Sequence, residues 1–320
     1  MNGEHLVGAR GKRVVAFGGG HGLYATLSAL RYLTSNITAI VTVADDGGSS
    51  GRLRKELGII PPGDLRMALS ALCDDGEWGQ TWRDALQYRF KSEGELGGHA
   101  LGNLLIAGLW DLLGDPVDGL DWVGRLLGIR GRVVPMAAVP LEIEAEVVCD
   151  DGSSMLVRGQ KEVATIDQHI VRTRLIPEDP PVLEQALAAI ADAEMIVFGP
   201  GSWYTSVLPH LQVPQLRDAI EKSGARCVLV MNLHADAETT RLSAADHLEL
   251  FHEYAPNIRL DTIVVDSGAI QEWDRLYEIA GRHGEYVVKH RVENPRKPGY
   301  HDPLDLAAAL RRAFYGDTVE

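Results

Sequence analysis

The stretch Arg13-Val14-Val15-Ala16-Phe17-Gly18-Gly19-Gly20-His21-Gly22-Leu23-Tyr24-Ala25-Thr26-Leu27-Ser28-Ala29-Leu30 decides the fold. A short apolar run opens it. Four glycines and one histidine follow. Apolar residues then recur at helical spacing as far as Leu30. That order reads as strand, glycine turn, helix. Beyond it, Ile37-Thr38-Ala39-Ile40-Val41-Thr42-Val43 is rich in β-branched residues and lacks polar alternation. A run of that kind belongs to a strand buried on both faces, as in a parallel sheet. Residues 13–43 are therefore expected to form a βαβ unit.

The same rhythm returns late in the chain. Met195-Ile196-Val197-Phe198 ends in Gly199-Pro200-Gly201-Ser202, and Cys227 to Met231 ends in Asn232. Ile263 to Asp266 and Glu285 to Val288 read as further strands, with apolar helices between them. Strands alternating with helices predict an α/β fold, a Rossmann-like, doubly wound and mostly parallel sheet. Residues 132–174 differ. Leu141 to Val148 alternates apolar and acidic residues, and Asp150-Asp151-Gly152-Ser153 reads as a turn. This segment is expected to be an inserted antiparallel β hairpin region, with Glu142, Glu144 and Glu146 on its solvated face. The whole, 1–320, is expected to be one domain carrying that insertion.

Composition narrows the function. Lys and Arg number 31 against 45 Asp and Glu, a net charge of −14. Such a surface repels nucleic acid and anionic membranes. No apolar run approaches the roughly 18 residues of a membrane helix, and Met1 to Gly11 has no secretion-signal pattern. Cys73, Cys149 and Cys227 are scattered without a CxxC pair, which fits a reducing compartment. The expectation is a cytoplasmic protein without membrane insertion.

Five segments carry candidate chemistry. The turn Gly18, Gly19, Gly20, His21 and Gly22 lets a backbone approach a phosphate at a helix N-terminus, or serves simply as a tight turn. It has neither GxGxxG spacing nor a Walker lysine. Asp45, Asp46, Gly47, Gly48, Ser49, Ser50 and Arg52 follow the second strand, where ligands bind in doubly wound sheets. The two carboxylates suit ribose hydroxyls or a divalent cation such as Mg2+, and the arginine suits phosphate oxygens. Otherwise the loop is solvated and Ser49 or Ser50 caps a helix. Asp64 reads as a ligand group or a helix cap. His99 and Asn103 share one helical face, as ligand groups or as satisfied core groups. Gly199, Gly201, Ser202, Tyr204 and Thr205 follow another buried strand and suit a second anion nest. Tyr277, on a predicted helix, is positioned by sequence either to stack on a base or to fill the core. A hydrolase triad is excluded, because no GxSxG elbow occurs. Trp78 and Trp82 read as core or interface, and His247 and His252 miss metal spacing. Thr318 is a candidate phosphorylation site in an accessible tail.

Taken together in order, Gly18 to Gly22, Thr42 to Arg54, Pro62 to Arg66, Gly98 to Leu104 and Gly199 to Ser206 resemble the bacterial gluconeogenesis factor family, related to the 2-phospho-lactate transferases. The resemblance spans about residues 13–305. It implies a cytoplasmic protein that binds UDP-sugars, notably UDP-N-acetylglucosamine, and supports cell shape, peptidoglycan precursor regulation and growth on gluconeogenic carbon. No firm enzymatic reaction attaches to that family. A homo-oligomer and regulatory protein partners are compatible with it. The resemblance adds Asn232 to the ligand set. The family's Thr-Gln after this Asn is replaced by Leu233 to Ala237, while Glu238-Thr239 persist. Tyr300-His301-Asp302 stands for its Arg-His-Asp, leaving Arg296 or Lys297 for the phosphate contact. The alternatives are a transferase acting on a nucleoside-diphosphate-linked substrate and, more remotely, a dehydrogenase.

Overall fold

A computed structural model describes residues 11–270 and 272–316. Most of the Met1–Gly11 stretch, and Thr318, lie outside the described residues. Ten strands are described: β1 (Val14–Gly18), β2 (Ile37–Val41), β3 (Arg132–Pro135), β4 (Glu142–Val148), β5 (Ser154–Arg158), β6 (His169–Ile176), β7 (Met195–Phe198), β8 (Arg226–Val230), β9 (Thr262–Asp266) and β10 (Tyr286–His290). Seven form one sheet in the order β10-β9-β8-β7-β1-β2-β3. All its pairings are parallel. The doubly wound, mostly parallel sheet expected from the alternation of strands and helices along the chain is therefore present.

The core follows from the sequence of the central strands. Every residue of β1 and β7 is buried, as apolar runs in a parallel sheet covered on both faces must be. Register places Phe17 beside Phe198, and their rings stack 5.3 Å apart at 10°. Such a pair contributes about 0.5–1.5 kcal/mol beyond the area it buries. His210, fully buried, leans on the same ring. Burial pushes its imidazole down to about 3, so it stays neutral.

Topology fixes where a ligand can enter. From β1 the chain builds outward through β2 and β3. It then returns to the other side of β1 as β7 and builds outward through β8, β9 and β10. The order reverses between β1 and β7, and in a doubly wound sheet that switch point is where a ligand crevice is expected, beyond the carboxyl ends of the strands. Six helices succeed β1 before β3: α1 (Gly20–Leu30), then α2 (Gly48–Leu57), α3 (Gly63–Leu72), α4 (Glu77–Gln87), α5 (Leu101–Leu113) and α6 (Pro116–Leu127). Asp115 caps α6 by accepting from Val117 and Asp118 N–H. Among the described residues, no helix is long and apolar enough to cross a membrane.

The inserted region is smaller than its sequence suggests. Arg132–Pro135 pairs with β2 and completes the main sheet, because its buried Val133 and Val134 suit a covered edge rather than a hairpin. The antiparallel sheet is β5-β4-β6, residues 142–176. Cys149 and Ser153 close its β4–β5 turn. Ile143, Ala145 and Val147 face the core. Glu144, expected on a solvated face, is buried as well. Arg158 and Arg174 lie over it and hold its carboxyl below the usual range through hydrogen bonds, Arg158 foremost. Long arginine stems cover the strand face while their guanidiniums stay wet.

Candidate functional site

The crevice is made by loops that only glycine allows to meet. A Cβ on Gly22 would lie 2.1 Å from the Pro200 carbonyl oxygen and 2.7 Å from Gly201 Cα. The Gly18–Gly22 and Gly199–Ser202 loops are thus in backbone contact across the switch point. Thr26 Oγ1 strengthens the junction by donating to the Gly199 carbonyl at 2.7 Å. Gly199 turns with φ +67°, a conformation costly for any side-chain-bearing residue. Asn232, just past β8, then clamps Gly201 from the far side. Its Oδ1 accepts from Gly201 N–H at 2.8 Å, and its Nδ2 donates to the Gly201 carbonyl at 2.9 Å. The amide reads both backbone groups of one residue, a role no aliphatic residue could fill.

Helix N-termini line the same region. Gly19, Gly47 and Pro62 are the N-cap residues of α1, α2 and α3, and none supplies a side-chain cap. Free N–H groups and dipole ends are what an anion uses. Ser49 and Ser50, weighed as caps, instead sit inside the first turn of α2. Asp64 likewise lies within the first turn of α3 rather than capping it.

Acid chemistry enters through Asp45 and Asp64. A Cβ on Gly19 would lie 2.5 Å from Asp64 Oδ2, and one on Gly63 would lie 2.6 Å from Asp45 Oδ2. Both carboxylates therefore press against glycines of the crevice. Thr42 Oγ1 donates to Asp64 Oδ2 at 3.2 Å. Burial, with the Asp45 charge second, pushes the Asp64 carboxyl up to about 7. Asp45 Oδ1 accepts from Gly47 N–H at 2.9 Å. Asp46 points elsewhere. Its oxygens accept from Gln160 and Lys161 N–H at 2.9 and 3.1 Å. It fastens the short helix α7 (Gln160–Ala164), and through it the small sheet, to the loop after β2. The sequence neighbours Asp45 and Asp46 are thus not a pair in space, and the carboxylates that approach each other are Asp45 and Asp64.

A buried polar chain runs behind α2. Arg66 Nε donates to Asn103 Oδ1 at 2.9 Å. Asn103 Nδ2 then donates to Ser49 Oγ at 3.0 Å and to Ser50 Oγ at 3.3 Å. Ala100 N–H also donates to Ser49 Oγ, at 3.2 Å. Ser49 Oγ stands 3.0 Å from His99 Nδ1. An arginine can only donate, so the chain has one polarity. With two donors already on its oxygen, the Ser49 hydroxyl donates to Nδ1, which leaves the proton of His99 on Nε2. Burial, with Arg52 second, holds His99 below its usual range and keeps it neutral. Arg66 itself is buried and lowered to about 10, chiefly by that burial. Its other partner is Gln87, which donates onward to Ser70 Oγ.

The remaining expected residues divide. His21 and Gly48 are exposed at the starts of α1 and α2. Arg52 holds the 91–98 loop by donating to the Glu95 and Gly97 carbonyls at 3.1 and 2.8 Å. Ser202 bonds Asp236, which also accepts from Asn232. Tyr204 and Thr205 are buried. The Tyr204 phenol bonds the Ile170 carbonyl at 3.5 Å, so it holds the small sheet rather than facing the crevice. Tyr277 is exposed on the helix Trp273–His283, with its ring 5.7 Å from Trp273. Among the described residues, no hydrogen bond or ring contact links it to the crevice loops. Lys297 sits over the Tyr300 ring. His301 bonds the Met231 backbone beside Asn232 and is lowered to about 4 by burial.

Gln87 and Asp236 had no distinguishing signal in sequence, while Thr42, Arg66 and Glu238 fell within the stretches that carry the family resemblance but had no role of their own there. Glu238 Oε1 accepts from Tyr204 N–H at 3.0 Å, and its carboxyl, 4% exposed, is pushed up to about 8 by burial. Among the described residues, no group of three or more His, Cys, Asp or Glu side chains is arranged to hold a metal ion. A cation here would rest on Asp45 and Asp64 and draw its other ligands from substrate and water.

Comparison with known proteins places this geometry among relatives. Residues 14–301 match the family described as 2-phospho-L-lactate transferase CofD. A gluconeogenesis factor homologue of Mycobacterium tuberculosis strain H37Rv is 49% identical over 304 residues, covering 93% of this chain and 89% of that protein. The gluconeogenesis factor of Bacillus subtilis strain 168 is 39% identical over 269 residues, 83% of each chain. The crystal structure of a UPF0052 family protein from Bacillus halodurans superposes with a TM-score of 0.84 at 36% identity, covering 95% of this chain and all of that one.

Proposed function

The chain belongs to the CofD family, with gluconeogenesis factors among its relatives, and from that premise we propose that it binds a nucleoside-diphosphate sugar, UDP-N-acetylglucosamine first, as a regulator of cell-wall precursor supply, cell shape and growth on gluconeogenic carbon. One observation carries the reading: the N-terminus of α1 touches the Gly199–Ser202 loop at the switch point of the sheet, and the N-termini of α2 and α3 adjoin it through Asp64, Asp45 and Ser50. A diphosphate suits that cradle of N–H groups. Asp45 and Asp64 then take sugar or ribose hydroxyls, or a divalent cation bridging to the phosphates. His99 would offer its Nε2–H as a donor.

The carboxylate pair also favours a second reading, a transferase acting on a nucleoside-diphosphate-linked substrate. There a cation on Asp45 and Asp64 would stabilise the leaving phosphate. Calorimetry separates the two. UDP-N-acetylglucosamine, UDP-glucose, GDP and NAD are titrated with and without Mg2+, and the ligand is recovered afterwards. Micromolar binding of UDP-sugars recovered intact supports the regulator. Preference for the guanine nucleotide, or its consumption, transfers the case to the transferase. Binding of neither class overturns both.

A further inference from the structure

β10 is the last strand of the main sheet and pairs with β9 alone. Tyr286 N–H donates to the Asp261 carbonyl at 3.1 Å, and the His290 carbonyl accepts from Ser267 N–H at 2.9 Å. These residues turn their main chain toward β9. In a parallel ladder the residues between them then turn their N–H and C=O groups away from the sheet. Val287 and Lys289 are such residues, and among the described residues no hydrogen bond reaches their outward main-chain groups. An open edge of this kind is a template for another strand.

The charge of this edge runs against that of the chain. From Tyr286 to Tyr300 the sequence carries Lys289, Arg291, Arg296 and Lys297 against Glu293 alone, in a chain of net charge −14. All four cations are exposed, and among the described residues none is in an ion pair. Glu293 is engaged by His234 and by Gly299 N–H. Lys289 Nζ rests 4.1 Å from the centre of the Trp273 ring, beside the exposed Tyr277. An aromatic face under the ammonium holds it in place at the edge.

We propose that this edge receives an extended acidic segment of a partner protein, which joins the main sheet as a further strand. Main-chain hydrogen bonds to Val287 and Lys289 supply the pairing, and alternate side chains supply the choice of partner. Lys289 and Arg291 are two residues apart, about 7 Å along an extended chain. Acidic residues at every second position of the incoming segment have the same spacing on one face, so an acid-x-acid pattern meets both cations. Lysine on an edge turns away a second copy of the same strand by like charge. It does not turn away an acidic one. A short segment touches the basic edge alone. A nucleic acid or an anionic bilayer would also confront the acidic surface around it, within the roughly 8 Å that charges reach at physiological salt. β10 lies three strands from β7 and the switch point, so this surface is separate from the crevice and the proposal does not depend on what the crevice binds.

The probe is a fluorescein-labelled, end-blocked nonapeptide alternating Glu and Val, titrated by anisotropy into the full-length chain at low salt. It should bind with a Kd on the order of 100 μM, and more weakly as salt rises. Hydrogen exchange should show the Val287 and Lys289 amides, open in the free chain, slowed by the peptide. Lys289→Glu together with Arg291→Glu should weaken binding more than about tenfold. Val287→Pro keeps every charge and removes one outward N–H, a change that an edge strand tolerates, and should weaken binding about fivefold. Melting curves of both variants should match that of the wild type. Absence of binding up to millimolar peptide overturns the proposal. So does binding that survives the double charge reversal. Binding without protection at Val287 and Lys289 would be adsorption by charge alone, and overturns it too. Phosphatidylserine vesicles captured in preference to the peptide would assign the edge to a membrane, against the proposal.

Discussion

Glu238 shows how much one burial decides. The side chain sits beneath the Gly199–Ser202 turn and accepts from Tyr204 N–H. Burial pushes its carboxyl up to about 8. In the unfolded chain it ionises near the ordinary range, close to 4.3. Between those values the unfolded state has lost a proton that the folded state keeps, so stability falls as pH rises through that window. Below it the contribution is intact. Glu238→Gln preserves the oxygen that Tyr204 needs and removes the ionisation. The variant should melt at the wild-type temperature at pH 4 and above it at pH 8, by roughly 3 °C for about 2 kcal/mol recovered. Equal melting temperatures at both pH values would show that Glu238 is ionised in the folded protein. Neighbouring Asp236, also raised by burial, titrates in the same direction and remains in both proteins, so the difference isolates Glu238.

Elements bring a second kind of constraint, because the site exists only where two loops from distant strands touch. Gly22→Ala tests that contact. Its new Cβ would sit 2.1 Å from the Pro200 oxygen, a backbone atom with nowhere to retreat while Asn232 clamps Gly201. The loops must part, and the variant should lose several degrees of melting temperature and more than about tenfold in nucleotide-sugar affinity. Gly281→Ala is the counterpart. It lies in the helix Trp273–His283 with nothing within 4 Å, so it should stabilise by up to about 1 kcal/mol through helix propensity and leave binding unchanged. If both behave alike, the close approach at Gly22 is not what the glycine is for. The same scale explains what was legible. Strand, glycine turn and helix are local patterns, and β1, α1, β2 and β7 could be read from them directly. Asp45 and Asp46 are indistinguishable in sequence. Only the return of the chain at Gln160 turns one toward the crevice and the other toward α7. Arg66 orients Asn103 from 37 residues away. Glu144 looked solvated until Arg158 and Arg174 came back over it. Each of those depends on tertiary packing that no periodicity encodes.

At the scale of the whole molecule, the proposed ligand is an anion while the protein carries −14 charges. Two designs could do so, and they respond oppositely to salt. A cluster of free arginines and lysines would bind through long-range attraction that salt screens. This crevice has few such groups. Arg52 is committed to the 91–98 loop and Arg66 to Asn103 and Gln87. What remains is the dipole ends and the other backbone N–H groups at the N-termini of α1, α2 and α3, Gly20 N–H being taken by Asp64 and Gly47 N–H by Asp45, and their field acts within the first turn. The molecule's overall charge repels the ligand from a distance, and that repulsion is what added salt weakens. The association rate of UDP-N-acetylglucosamine should therefore rise, by roughly two- to threefold, as NaCl is raised across the range that brings the Debye length from ~30 Å to ~8 Å. Short-range hydrogen bonds govern departure, so the dissociation rate should hardly change. Stopped-flow measurement across that salt range decides it. A steep fall in association rate with salt would place an unrecognised cationic cluster in the path, with Arg296 and Lys297 the first residues to replace.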